Sequence, residues 1–193
     1  MEGLGHSVVE YLQSFPKGKV TEEEIQAALN KLKAAIEEAG KPIETPVENP
    51  PKVNEAFAAA DGLKYKVTAY SSKSKSVTVT GSAKKLTALT IPATVRYKNV
   101  TFKVTSIGKK AFSKQKKLKS LTIGKNVKSI GANAFSGDKK LAKIKFSGTA
   151  IKSIGKNAFK NIKKNAAFSV KKSKKAYYKR LLQKAKTKNF KVK

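Results

Sequence analysis

Cysteine and tryptophan are absent from this chain of 193 residues, and histidine occurs once, at His6. Without cysteine there is neither a disulfide nor a thiolate-held metal. A single histidine leaves imidazole-ligated metals and histidine-based acid–base catalysis without their usual groups. Acids are scarce: 12 Asp and Glu stand against 43 Lys and Arg, for a formal net charge of +31. Long apolar runs are missing too, because no window approaches the roughly 18 apolar residues that span a bilayer. Met1 to Leu12 holds Glu2 and Glu10 but no Lys or Arg, unlike the positive start of a secretory leader. Two origins fit that start: an intracellular protein, or a mature piece of a longer exported chain.

What is present argues for a folded protein. Leu 12, Ile 11, Val 14 and Phe 9 make 46 of 193 residues, above the roughly one-fifth below which highly charged chains stop burying a core. The length suits one medium domain, alone or with a small appendage. Charge divides the chain near Asp61-Gly62. Residues 1–61 hold eleven acids and six lysines, whereas residues 62–193 hold 37 bases and one acid, Asp138.

The acidic part reads as helix over residues 1–40. Thr21 and Glu24 form a capping box, Glu22 and Glu23 suit the positive helix end, and Ile25, Ala28, Leu29, Leu32 and Ile36 recur at helical spacing. Gly40 and Pro42 end it. Val8, Tyr11, Leu12 and Phe15 predict a shorter helix before Pro16-Lys17-Gly18. Residues 41–61, with four prolines between Lys41 and Pro51, read as an extended linker.

The basic part, residues 62–193, repeats itself. Val104 to Phe112, Val127 to Phe135 and Ile151 to Phe159 superimpose on Ser-Ile-Gly-x-x-Ala-Phe at offsets of 23 and then 24 residues. The first two copies run on into Leu118, Leu121, Ile123 and into Leu141, Ile144, Phe146. Leu86, Leu89 and Ile91 form an incomplete earlier copy, followed by an insertion over Tyr97 to Lys103. A period in the twenties predicts stacked units, none of which buries its own apolar side alone. In such a stack Leu121 and Ile123 face inward, leaving Ser120 and Thr122 outward, and Lys143 and Lys145 outward one coil later. Phe112, Phe135 and Phe159 form an interior ladder. Gly108, Gly131 and Gly155 are expected where the chain must turn sharply without a side chain in the way. Lys64 to Thr80 predicts a leading hairpin about Ser71-Ser72, and Ala176 to Ala185 a helix with Tyr177, Tyr178, Leu181 and Leu182 on one face. Phe190 and Val192 predict a last strand, so both ends of the stack are capped.

The Ser-Ile-Gly-x-x-Ala-Phe motif, running into Leu-x-x-Leu-x-Ile, resembles the BspA-like leucine-rich repeats of bacterial cell-surface proteins over about residues 62–193. The Ile91-Pro92-Ala93-Thr94-Val95 turn and the lysine-rich tail look like that family as well. The resemblance implies an α+β fold: a short solenoid of stacked strands with a β cap and a C-terminal helix, preceded by a small helical segment. It also implies extracellular adhesion or surface binding, without catalytic residues. Residues 19–38 are similar to the final helix of FIVAR-type modules, also found in Gram-positive surface proteins. Together the two matches favour a fragment of a secreted or cell-surface protein lacking its signal peptide, with a cytoplasmic protein as the alternative.

No catalytic residue, cofactor or metal ligand is assigned. Asp138 reads as a turn former in Ser136-Gly137-Asp138, and the glycines belong to the repeats instead of a phosphate loop. The candidate partner-binding surface is the outward row Ser120, Thr122, Lys143 and Lys145. Its expected partner is a protein or an anionic polymer of host, matrix or cell-wall type, bound by a monomer. An intracellular nucleic-acid-binding or inhibitor protein is the alternative. With 41 lysines and only Arg96 and Arg180, point-charge attraction fits better than bidentate reading of bases, so nucleic acid would be held without sequence preference.

Overall fold

The computed structural model describes Gln26, Asn30, Lys31 and residues 49–193. Gln26, Asn30 and Lys31 are helical, and Gln26 Nε2 donates to Asn30 Oδ1 at 3.4 Å. The rest of the acidic helices expected over 1–40, and residues 41–48 of the expected linker, lie outside the described residues. The chain divides into two compact units, Met1–Pro46 and Val47–Lys193.

The second unit is built from two sheets that face each other across the apolar interior. β1 (Ala56–Ala58), β2 (Leu63–Tyr70) and β3 (Lys75–Ser82) are antiparallel neighbours. β4 (Ala88–Ile91) begins the second sheet, while β5 (Thr94–Tyr97) and β6 (Val100–Ile107) form a hairpin on the first. Lys98 and Asn99 join that hairpin with φ of 47° and 59°, the positive pair a two-residue turn needs. From β6 onward each coil gives one strand to each sheet. β8 (Ser129–Ile130) and β10 (Ser153–Ile154) extend the first, and β7 (Ser120–Ile123), β9 (Lys143–Phe146) and β11 (Ala166–Ser169) extend the second. With β12 (Phe190–Val192) as the last strand, the strand orders are β1-β2-β3-β6-β8-β10, with β5 on β6, and β12-β11-β9-β7-β4. The second sheet is parallel throughout.

Parallel stacking places identical repeat positions on top of one another. Phe112, Phe135 and Phe159 are fully buried and stack with centroids 5.5 and 5.2 Å apart and planes within 7°. Leu121, Ile123, Ile144, Phe146 and Phe168 close on the ladder from the second sheet, and Ile107, Ile130 and Ile154 from the first. The interior ladder read from the sequence is therefore present.

The ends are covered as the sequence predicts. The β2–β3 hairpin turns through Ser71–Ser74, and Val79 O accepts the Gly108 amide at 2.8 Å, so β3 serves as the coil before the first. At the other end α1 (Lys175–Lys184) buries Tyr178 and Leu182, and Ala185 O accepts Asn157 N at 2.8 Å. β12 (Phe190–Val192) finishes the second sheet.

One expectation is corrected and another is refined. The segment 41–61 is not all linker: β1 lies within it, because Phe57 stacks on Tyr97 at 3.9 Å and on Tyr65 at 5.4 Å. Gly131 and Gly155 do not turn the chain by a left-handed φ. A Cβ on either would lie 2.5 Å from a backbone nitrogen of the preceding coil, Lys109 or Ala132, so these glycines permit close stacking. The left-handed turning falls two residues later, at Lys110, Asn133 and Asn157, with φ of 57°, 57° and 60°.

Candidate functional site

A strand with one buried face must present the other, and the register of the second sheet decides what is shown together. Leu121 and Ile123 face the core, which turns Ser120 and Thr122 outward. Ile144 and Phe146 do the same for Lys143 and Lys145. Ser120 pairs with Lys143 and Thr122 with Lys145, so all four predicted residues lie on one face of adjacent strands. Adjacent strands lie about 4.8 Å apart, and residues two apart along a strand about 6.7 Å, so the four outline a small rectangle. Ser120 and Thr122 are half-buried, while Lys143 and Lys145 are exposed.

The face continues on both sides. Ala88 pairs with Ser120 and Thr90 with Thr122 on one flank; Ala167 pairs with Lys143 and Ser169 with Lys145 on the other. Beyond them Lys191 of β12 pairs with Ala167 and adds a third lysine to the row. The sequence gives little notice of Lys191. The Leu-x-x-Leu-x-Ile pattern fades after Phe146, and the register of Phe190–Val192 depends on a helix inserted between the last two strands.

Hydroxyls beside ammonium groups can donate to carboxylate, phosphate or sulfate oxygens, with the lysines supplying point charge. Nothing in this row provides a nucleophile with its base or a carboxylate pair. Among the described residues no group of three or more His, Cys, Asp or Glu could hold a metal ion, and no helix is long and apolar enough to cross a membrane.

Carboxylates in this unit serve structure. Asp138 is fully buried, and its Oδ1 accepts the Gln115 amide of the preceding coil at 2.7 Å, while Oδ2 has no hydrogen-bond partner. Burial pushes its pKa up to about 7, opposed in part by the Gln115 N–H. It thus braces two coils as well as sitting in the turn the sequence assigned to it. Glu55 accepts from Lys98 Nζ at 2.7 Å, from Tyr97 OH at 2.8 Å and from the Lys52 amide at 2.8 Å. The Lys98 contact leads these three in holding its pKa down to about 2. This cluster ties the segment before β1 to the inserted hairpin. His6 lies outside the described residues.

Residues 82–193 match the BspA type leucine rich repeat region in six copies. No curated protein matches the chain. Among solved structures, a leucine rich cell surface protein from Faecalibacterium prausnitzii A2-165 is similar at 24% identity with a TM-score of 0.49, over 59% of this chain and 30% of that one. A leucine-rich repeat protein from Bacteroides ovatus ATCC 8483 is similar at 25% identity and TM-score 0.42, over 55% of this chain and 33% of the other. The T. pallidum leucine rich repeat protein gives 21% identity and 0.41, over 63% and 53%. The chain therefore spans 30% to 53% of the length of these relatives.

Proposed function

From the premise that this chain belongs to the BspA type leucine rich repeat family, we propose that it is a non-enzymatic binding module of a bacterial cell-surface protein. The outward row Ser120, Thr122, Lys143 and Lys145, joined by Lys191, meets a protein or polyanionic partner. One observation carries this reading. The repeat consumes its apolar side chains in the interior, and its parallel register aligns polar side chains that packing does not need on one open face. Such continuous concave or flat rows are what stacked repeats offer to partners. The reaction inventory points the same way, since the repeat unit has one carboxylate after residue 61, Asp138, and that group is buried.

Charge reversal tests the assignment. Lys143→Glu with Lys145→Glu, in the full chain, is expected to slow association with an immobilised extracellular-matrix preparation and to weaken it about tenfold. Circular dichroism should remain that of the parent, because both side chains are exposed. Unchanged binding by surface plasmon resonance would remove this row from the interface. Protease accessibility of the chain on intact producing cells tests the location, and complete protection there would contradict a surface role.

A further inference from the structure

Lysine fills 35 of the 132 positions from 62 to 193, and most are scattered, but one pair of repeat positions carries it in four successive coils, giving way to Thr187-Lys188 before the last strand. Lys84-Lys85, Lys116-Lys117 and Lys139-Lys140 immediately precede Leu86, Leu118 and Leu141, and Lys163-Lys164 follow in the next coil. All eight are exposed. The leucines beside them point inward; Leu118 and Leu141 are fully buried and Leu86 is half-buried against the core.

Backbone hydrogen bonds on both sides of these turns hold the pairs in line. Lys114 N donates to Ser136 O at 2.9 Å before the turn, and Ala142 N donates to Lys119 O at 2.9 Å after it. Lys119 N donates to Thr87 O at 2.7 Å, which fixes the Lys84-Lys85 turn against the next one. Lys163 N donates to Leu141 O at 3.3 Å, so the fourth pair abuts the third. With coils about 4.8 Å apart where they pair, the lysines form two lanes crossing four coils.

Packing does not ask for this arrangement. Like charges held one coil apart repel one another, and any polar residue would cover the turn equally well. Among the described residues two carboxylates come near the ladder, and both are otherwise engaged: Asp138, next to Lys139, is buried and accepts from the Gln115 amide, and Asp61, next to the Gly62 that lies against Lys84, accepts from the Leu63 amide and the Tyr65 hydroxyl. The ion pair recorded among the described residues is Lys98 with Glu55, in the inserted hairpin and the segment before β1.

We propose that this twin-lysine ladder is a binding surface for a linear polyol-phosphate polymer, a chain of phosphodiesters carrying no aromatic bases. It is a second surface, separate from the strand row, and it rests on the binding-module reading above. Two regularly spaced lanes of single charges match a linear chain of single charges. Lysine binds phosphate as a compact point charge, whereas planar bidentate recognition belongs to arginine. Among the described residues no aromatic side chain is exposed, so nothing beside the ladder stacks bases as single-stranded nucleic-acid sites do.

The test compares two full-length variants of equal net charge. One is Lys116→Gln with Lys117→Gln, Lys139→Gln and Lys140→Gln. The other removes four exposed lysines in or next to the first sheet: Lys103→Gln, Lys128→Gln, Lys152→Gln and Lys156→Gln. Poly(glycerol phosphate) of defined length is titrated calorimetrically across a NaCl series. The ladder variant is expected to bind at least about tenfold more weakly at physiological salt. Its slope of log affinity against log salt should fall by about 3, at roughly 0.7 per lost phosphate contact. The control variant should stay close to the parent. Equal weakening of both variants, or no binding by the parent, would overturn the ladder. Tighter binding of oligo-dT would point to nucleic acid, and tighter binding of heparin to sulfate, and either overturns the polymer assigned. Where the ladder is overturned, matrix binding that still depends on Lys143 and Lys145 confines the failure to the ladder, and absence of that dependence extends it to the binding-module reading.

Discussion

Asp138 shows how a single residue sets a pH dependence. Its carboxyl is fully buried with one partnered oxygen, and its pKa stands at about 7 against an ordinary 3.8. The neutral form is the one the fold favours. Its contribution is therefore fully present below about pH 4, where folded and unfolded chains both hold the proton, and is lost as pH rises toward 7. At about 1.4 kcal/mol per pKa unit the loss is on the order of 4 kcal/mol. Asp138→Asn keeps an acceptor for the Gln115 amide and removes the ionisation. Urea melts should find the variant more stable than the parent at pH 8 and not more stable at pH 4. A parent whose stability rises from pH 4 to pH 8 alongside an unchanged variant would refute the assignment. A second residue-scale prediction concerns Lys110, whose φ of 57° is shared by Asn133 and, within 3°, by Asn157. Left-handed backbone is costly for most side chains and less so for asparagine. Lys110→Asn should stabilise by about 0.5–1 kcal/mol, read as a higher urea midpoint at unchanged m-value.

At the scale of elements, the repeated Phe and Gly positions were legible in the sequence, the first as a ladder and the second as places that admit no side chain. Regular spacing beside alanine predicts a phenylalanine ladder, and the rings do stack. Phe135 is fully buried between the rings of Phe112 and Phe159, so truncation there opens a gap in the middle of the ladder. Phe135→Ala is expected to cost about 3–5 kcal/mol, read as a drop in urea midpoint, and Phe135→Leu less. The glycines were read as sharp turns with no room for a side chain; the 2.5 Å approach of a notional Cβ to the neighbouring backbone bears out the second part, while the left-handed turning falls two residues later. Which backbone the missing side chain makes room for is decided only when the stack is built. Gly131→Ala should therefore cost about 2–3 kcal/mol despite a φ that alanine tolerates, and a melt unchanged from the parent would restore the turn explanation. β1 was hidden for another reason: three residues, Ala-Phe-Ala, carry no period, and their strand exists because Tyr65 and Tyr97 receive Phe57. The four outward residues of the candidate site were readable because alternation within a strand assigns faces. Lys191 was not, since its place beside Ala167 follows from the path of α1.

For the whole molecule, the decisive quantity is charge held close. Residues 62–193 carry 37 bases against one acid, and folding brings these bases nearer together than the unfolded chain does, so self-repulsion opposes the compact state. Two unit charges 5 Å apart in water repel by about 0.8 kcal/mol before screening, and the ladder alone stacks three such steps in each of two lanes. Salt shortens the reach of this repulsion, from about 30 Å at 0.01 M to about 3 Å at 1 M. Stability should therefore rise by about 2 kcal/mol between 0.01 M and 1 M NaCl, measured by urea melts, since guanidinium would itself screen the charges. The four-lysine ladder variant should start more stable than the parent at low salt and gain less from added salt. Repulsion concentrated in the ladder predicts a larger effect there than in the variant lacking Lys103, Lys128, Lys152 and Lys156. Equal salt responses in parent and both variants would mean that the lysine heads spread apart in solution, and the two lanes would then hold too little local field to organise a polyanion.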